Sequence, residues 1–400
     1  MKRIDGSLGD VASFPFSEIA DAPILVADDS QILRELIKSF LSREGFNNIH
    51  VAEDGAKAIA MLEEIQPDIV ILDILMPEMD GFEVCRTIRQ NPKFAHIPIL
   101  VETALEDSAE RLEVFEVGAT DLVLKPLNGQ ELAARVKVHL QNVHMARSQR
   151  RYHERMVREL DAARKVQESL LPSERAMQEA ADQCDIRVAA YYEASSELGG
   201  DFWGLKPLGG GRLGLYTADF SGHGVAPALN TIRLHTLLMG TGIDWYNPEL
   251  WMMATNTHLY RMTQTDQFAT AFYGLLEPTK DQLVYVSAGC PRVIIGKVGG
   301  EATFHETSGL PAGIRSQAEH ARRVAPFSSG SFIFLYSDAL LETPGPDGAM
   351  MSEDALLSVV SEAASHNDPQ RVIDTVRRAM PKVPGRGLLD DLTLVMLIKD

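Results

Sequence analysis

The chain has 400 residues, of which 45% are hydrophobic and 24% charged, ordinary values for a globular protein of two to three domains. Its 38 Lys and Arg against 56 Asp and Glu give a net charge of −18, which argues against work on phosphate backbones or anionic lipid, so no direct DNA binding is expected. Cys85, Cys184 and Cys290 lie far apart without CxxC spacing, excluding a disulfide framework or thiolate zinc site as the organising feature. No stretch approaches the ~20 apolar residues of a membrane span, and the first residues lack the apolar core of a signal peptide. A cytoplasmic protein with no membrane contact is expected.

Residues 1–21 read as an N-terminal extension. From Ala22 to Leu140, strand-like runs at Ile24–Ala27, Ile49–Ala52, Ile69–Leu72, Ile97–Val101 and Leu122–Leu124 alternate with amphipathic stretches such as Gln31–Arg43 and Gly55–Ile65. That alternation predicts a doubly wound α/β domain over 22–140, with a five-stranded parallel sheet. Residues 141–172 read as a helical connector, continuing a pattern that runs unbroken from Leu127 to Pro172. Val136, Leu140, Val143, Met156, Leu160, Ala163 and Leu170 form a narrow apolar stripe, suited to a coiled-coil homodimer or to docking on a neighbouring domain.

Residues 173–400 have short β-rich runs at Arg212–Ala218, Phe268–Leu276, Gln282–Ser287, Arg292–Lys297, Phe332–Ser337 and Leu392–Ile398. Helical patterns at Ala226–Met239, Glu249–Met262, Glu353–Ala364 and Pro369–Met380 interrupt them. Grouped strands and helices predict an α+β domain on antiparallel sheet.

Asp28 and Asp29 end the first predicted strand and Asp73 follows the third, so all three face the crevice beyond the carboxyl ends of the sheet. Carboxylates held this close repel one another and call for a hard divalent cation. Thr103 and Lys125 add a hydroxyl and an ammonium to the same rim, an arrangement able to accept a phosphoryl group. Asp28-Asp29, Asp73 with Met76-Pro77 and Gly81, Thr103-Ala104 and Lys125-Pro126 resemble the receiver domain of two-component response regulators. The resemblance implies that Asp73 is phosphorylated by a histidine kinase or a small donor. It also implies Mg²⁺ held by Asp28, Asp29, Asp73 and the Leu75 carbonyl, phosphoryl oxygens gripped by Thr103 and Lys125, and a cis Lys125-Pro126 bond. Leu122 stands where the family often has an aromatic switch residue.

A second set of Asp residues lies in Gly199-Gly200-Asp201, Asp219-Phe220-Ser221-Gly222-His223-Gly224, Ser337-Asp338 and Asp390-Asp391-Leu392-Thr393. Each alone reads as a turn residue; together, with glycines permitting close backbone approach, they suit an oxygen-ligand site for two metals. With the preceding Ala162–Pro172 helix, these motifs resemble the metal-dependent protein phosphatases of the SpoIIE and RsbU branch. The resemblance implies a β-sandwich flanked by helices and catalytic residues Asp201, Asp219, Asp338 and Asp390 holding two Mn²⁺ or Mg²⁺ ions with the Phe220 carbonyl. Activated water, rather than a protein nucleophile, would attack phosphoserine or phosphothreonine. Gly204, Ala339 and Cys290 depart from the family pattern, and His223 reads as a structural or solvent-facing residue rather than a proton donor.

The implied function is a response regulator in which the receiver controls a serine/threonine phosphatase. Its expected substrate is a phosphorylated STAS-type anti-sigma-factor antagonist in a partner-switching pathway. The competing reading is an RssB-like adaptor that binds a sigma factor for proteolysis and uses the second domain only for binding.

Overall fold

The computed structural model describes residues 16–104, 108–222, 224–262, 267–381 and 387–400. The chain divides into two compact units, Met1–Met156 and Val157–Asp400. No described helix is long and apolar enough to cross a membrane.

The first unit runs β1 (Ile24–Ala27), α1 (Gln31–Arg43), β2 (Ile49–Ala52), α2 (Gly55–Ile65), β3 (Ile69–Asp73), α3 (Gly81–Gln90), β4 (Ile99–Thr103), α4 (Ser108–Glu116), β5 (Asp121–Leu124) and the start of α5 (Gly129–Glu168). Its sheet has the order β2-β1-β3-β4-β5, every pairing parallel. The doubly wound reading is therefore correct. Every residue of β1, β3 and β4 is buried, as strands covered by helices on both faces must be. One core contains Leu25, Val70, Leu72, Val84 and Val101; the other contains Ile24, Val26, Ile37, Leu41, Leu132, Val136 and Leu140. Ser30, Asp54 and Asp80 cap α1, α2 and α3 by accepting backbone N–H bonds, satisfying donors that a helix start leaves free. The fourth strand starts two residues later than the apolar run, because Pro98 has no N–H to give; its carbonyl instead accepts Val70 N at 3.0 Å. Ile19 is fully buried in this unit's core, and Phe16 packs edge-on against Phe46 with ring centroids 5.1 Å apart.

The apolar stripe of the connector does not form one continuous free seam. Val136 and Leu140 are buried within the first unit, Leu170 packs into the second, and Met156 is 38% exposed. Sequence periodicity marks a helix's apolar positions but not which neighbour covers each one.

The second unit takes α5 to its end, then continues through α6 (Glu174–Cys184), β6 (Ile186–Glu193), β7 (Asp201–Pro207), β8 (Leu213–Phe220), α7 (Val225–Met239), α8 (Pro248–Met262), β9 (Ala269–Glu277), β10 (Gln282–Ala288), β11 (Val293–Lys297), β12 (Ala302–His305), β13 (Arg323–Pro326), β14 (Ser331–Tyr336), α9 (Ala339–Glu342), α10 (Glu353–Ala364), α11 (Pro369–Ala379) and β15 (Leu392–Lys399). Two antiparallel five-stranded sheets result, β13-β10-β9-β8-β7 and β12-β11-β14-β15-β6. Trp203, Leu215, Phe272 and Leu283 of one meet Ile295, Ile333, Val395 and Leu397 of the other in a shared core. Leu234 of α7 and Trp251 of α8 cover the outer face of the first sheet; Leu356 of α10 and Val372 of α11 cover the second. This is the expected helix-flanked β-sandwich. The short strands β12 and β13, each at the edge of its own sheet, carry few buried residues and so leave little apolar signal in the sequence.

Candidate functional sites

In the first unit, Asp28, Asp29 and Asp73 offer carboxylate oxygens that all lie within 4.8 Å of one another. Asp28 and Asp73 are buried at 0% and 6% exposure. The Lys125 ammonium pairs with Asp73 Oδ2 at 2.9 Å and Asp28 Oδ2 at 3.2 Å. Burial raises the pKa of Asp73 while the Lys125 hydrogen bond pulls it down. Burial works against the charge on Lys125, yet contact with Asp73 and Asp28 leaves its pKa raised. Parallel pairing sets Thr103 opposite Leu124, and Lys125 N donates to Thr103 O at 2.8 Å, so the two candidate switch residues share one rim. The Lys125–Pro126 bond is cis. Gly81 allows α3 to approach β3, since a Cβ there would lie 2.4 Å from Asp73 O. Leu75 sits just beyond Asp73 with its side chain 70% exposed. Leu122 is half-buried in β5 opposite Val101.

One residue here escapes sequence reading. Glu102 is the register partner of Asp73, has no exposed surface, and neither of its carboxylate oxygens has a hydrogen-bond partner. Burial pushes its pKa up to about 8; Lys125 opposes the shift, while Asp28 and Asp73 reinforce it. The folded state thus keeps a proton that the unfolded chain loses near its ordinary value, so this residue costs stability progressively as pH rises from about 4.5 to about 8. Glu102→Met removes that cost. The first unit's unfolding transition in the full chain is expected to gain about 1–3 kcal/mol at pH 8.5 and much less at pH 5, measurable by calorimetry at both values.

In the second unit, Asp201 and Asp219 are direct cross-strand partners on β7 and β8. Asp338 closes the loop after β14, and Asp390 precedes β15, the strand hydrogen-bonded to β14. Burial drives Asp201 well above the carboxylate range; the Asp219 charge adds to this, and the Thr393 and Ser337 hydroxyls offset part of it. Asp219 is pushed up to about 8, by burial first and then by Asp338, Asp390 and Asp391. Asp338 is raised by burial and by Asp390. Asp219 thus links the four candidate carboxylates electrostatically, although among the described residues only Asp28, Asp29 and Asp73 bring three carboxylate oxygens within 4.8 Å of one another. Asp201 Oδ2 and Asp338 Oδ1 are buried without any hydrogen-bond donor from the protein. Orphaned oxygens in a carboxylate cluster fit hard divalent cations.

Asp391, next to a proposed ligand, has a different role. It is 2% exposed, accepts Ser195 N at 2.7 Å and also accepts Gly200 N, so it anchors the loop that delivers Asp201. Gly199 and Gly200 are needed there because added Cβ atoms would lie 2.2 Å from the Tyr192 hydroxyl and 2.8 Å from Phe220 O. The Phe220 carbonyl thus lies against the same loop. Ser337 ties Asp338's loop to β15: its Oγ donates to Asp391 O and accepts Thr393 N, both at 2.8 Å.

The departures from the family pattern have local causes. A Cβ on Gly204 would lie 2.2 Å from the Tyr216 hydroxyl, so an Asp has no room there. Ala339 begins α9 and is buried. Burial pushes the Cys290 thiol up to about 12, consistent with an inert side chain. His223 lies outside the described residues; Gly222 and Gly224 flank it at φ +88° and +95°, a conformation natural to glycine.

Comparison with known proteins matches residues 24–137 to the response regulator receiver domain and residues 209–399 to stage II sporulation protein E, SpoIIE. The chain carries a receiver domain followed by a SpoIIE domain. The transcriptional regulatory protein YvrH of Bacillus subtilis is 37% identical over 127 residues, 32% of this chain and 52% of that protein. Response regulator PleD of Caulobacter vibrioides is 40% identical over 116 residues, 29% of this chain and 25% of that protein. The chain thus spans about half or less of the curated relatives it matches. The SiaA-PP2C domain of Pseudomonas aeruginosa shares the fold, with a TM-score of 0.54 and 17% identity over 62% of this chain and 99% of that one.

Proposed function

We propose that the receiver domain takes a phosphoryl group at Asp73 from a histidine kinase and thereby controls the SpoIIE domain, a metal-dependent phosphatase of phosphoserine or phosphothreonine proteins. The observation that carries this reading is the pair of carboxylate clusters. One is poised against Lys125, and the other contains buried oxygens with no donor in the protein. An adaptor that never hydrolyses is the weaker reading, because such carboxylates are costly to bury unless they hold a cation.

In the receiver, Asp28, Asp29, Asp73 and the Leu75 carbonyl would hold Mg²⁺. An Asp73 oxygen attacks phosphorus, the bond from phosphorus to the donor breaks, and Lys125 and Thr103 receive the phosphoryl oxygens. In the SpoIIE domain, Asp201, Asp219, Asp338, Asp390 and the Phe220 carbonyl would hold two Mn²⁺ or Mg²⁺ ions. When bound, such ions lower the pKa of water and offset phosphoryl charge. The four carboxylates would fix where the ions sit and so where a phosphate ester is held; water adds to phosphorus as the bond to the serine or threonine oxygen breaks, and that oxygen takes the proton that the water gives up.

The proposed substrate is a phosphorylated STAS-type anti-sigma-factor antagonist, which makes the output partner switching and places any sigma factor downstream. The exposed side chains of Tyr152 and Met156 on α5 support pairing with a second copy of the chain. Phosphate release from a panel of phosphorylated STAS proteins, with phosphotyrosine peptides as controls, tests the assignment. Release from phosphotyrosine alone would refute it.

A further inference from the structure

We propose that Gln167, in the last turn of α5, is a positioning residue for Asp201, so that the end of the connector helix sets the geometry of the SpoIIE carboxylate cluster. This rests on the phosphatase reading and adds a residue to its machinery.

Gln167 is 5% exposed, and its amide is matched on both sides. Its Nε2 donates to Gly199 O at 2.5 Å and to Thr231 Oγ1 at 3.0 Å, while its Oε1 accepts Gly199 N at 3.2 Å. One turn earlier, Arg164 donates to Ser196 O at 2.7 Å and to Glu197 O at 2.8 Å. The segment Ser196–Gly200 is thus held from α5 at one end and by Asp391 through Ser195 N and Gly200 N. It needs such holding. Two consecutive glycines have the freest backbone available, and the next residue is Asp201, whose Oδ2 has no protein donor. Thr231 belongs to α7, the helix that follows the Asp219–Gly224 turn, so one amide ties together the segments carrying both cross-strand carboxylates. Neither the apolar periodicity of α5 nor the metal motif requires a glutamine at this point; the backbone bonds do.

The test uses the full chain in three forms: wild type, Gln167→Met and Arg164→Ala. Mn²⁺ binding is measured by calorimetry, Mn²⁺ dependence by hydrolysis of p-nitrophenyl phosphate, and folding by the metal-free thermal midpoint. Gln167→Met is expected to weaken Mn²⁺ binding and raise the half-activating concentration about tenfold, the scale of losing buried hydrogen bonds. At saturating Mn²⁺, kcat is expected to stay within about threefold of wild type. Arg164→Ala, at a half-exposed position, should shift metal affinity in the same direction by less. Should Gln167→Met not fold, Arg164→Ala decides the question. Folded variants with unchanged Mn²⁺ affinity, or with kcat lost at unchanged affinity, overturn the proposal. A wild type that binds Mn²⁺ but hydrolyses nothing would refute the phosphatase reading, while the calorimetric comparison would still test Gln167.

Discussion

Replacing Asp219 by Asn is expected to lower metal-dependent phosphate release on the order of 10³-fold, the effect of losing several kcal/mol of transition-state stabilisation. Asp219 is the focus of the site. It pairs across strands with Asp201 and feels Asp338, Asp390 and Asp391, so in the proposed site its charge would favour bound cations. An amide is nearly isosteric but carries no charge, so cation affinity falls while packing is kept. Because like charges and burial raise Asp219 to about 8 in the cation-free state, the substitution also relieves repulsion. The variant should unfold at a temperature equal to or above that of wild type without metal, and gain less than wild type when Mn²⁺ is added. Loss of activity with a retained or raised midpoint separates a catalytic role from a folding role.

Replacing Asp73 by Asn is expected to abolish phosphoryl uptake completely, since an amide offers no carboxylate oxygen to form the acyl phosphate. Asp28 and Lys125 already lean on each other at 3.2 Å, and removing one of three carboxylates lessens their repulsion, so the receiver should remain folded. Intact mass after incubation with a small acyl phosphate donor and Mg²⁺ reads the result directly: one phosphoryl increment on wild type, none on Asp73→Asn. An increment on the variant would place the acceptor elsewhere.

Much of the architecture was legible because its physics is local. Buried parallel strands are unbroken apolar runs, and α1 and α2 have both a polar cap and a periodic face, so their limits could be read directly. The candidate carboxylates were legible as short motifs at strand ends. What could not be read depends on contacts distant in sequence. Asp390 and Asp391 are chemically identical in a string, yet Asp391 spends its carboxylate on Ser195 N and Gly200 N, nearly two hundred residues away. Glu102 is a single acid near the end of an apolar strand, and only its register beside Asp73 reveals a buried carboxyl without a hydrogen-bond partner. Gln167 lies in a helix whose periodicity speaks only for its apolar residues. The room taken by the Tyr216 hydroxyl against Gly204 is likewise a cross-strand fact.

The most direct test of the central claim is phosphate release by the full chain from a phosphorylated STAS protein with Mn²⁺, comparing receiver phosphorylated at Asp73 with receiver unmodified. The account predicts hydrolysis that requires Mn²⁺ and Asp219, at a rate that changes with Asp73 phosphorylation and is fixed in Asp73→Asn. Hydrolysis that persists in Asp219→Asn, or a rate indifferent to the state of Asp73, would contradict it.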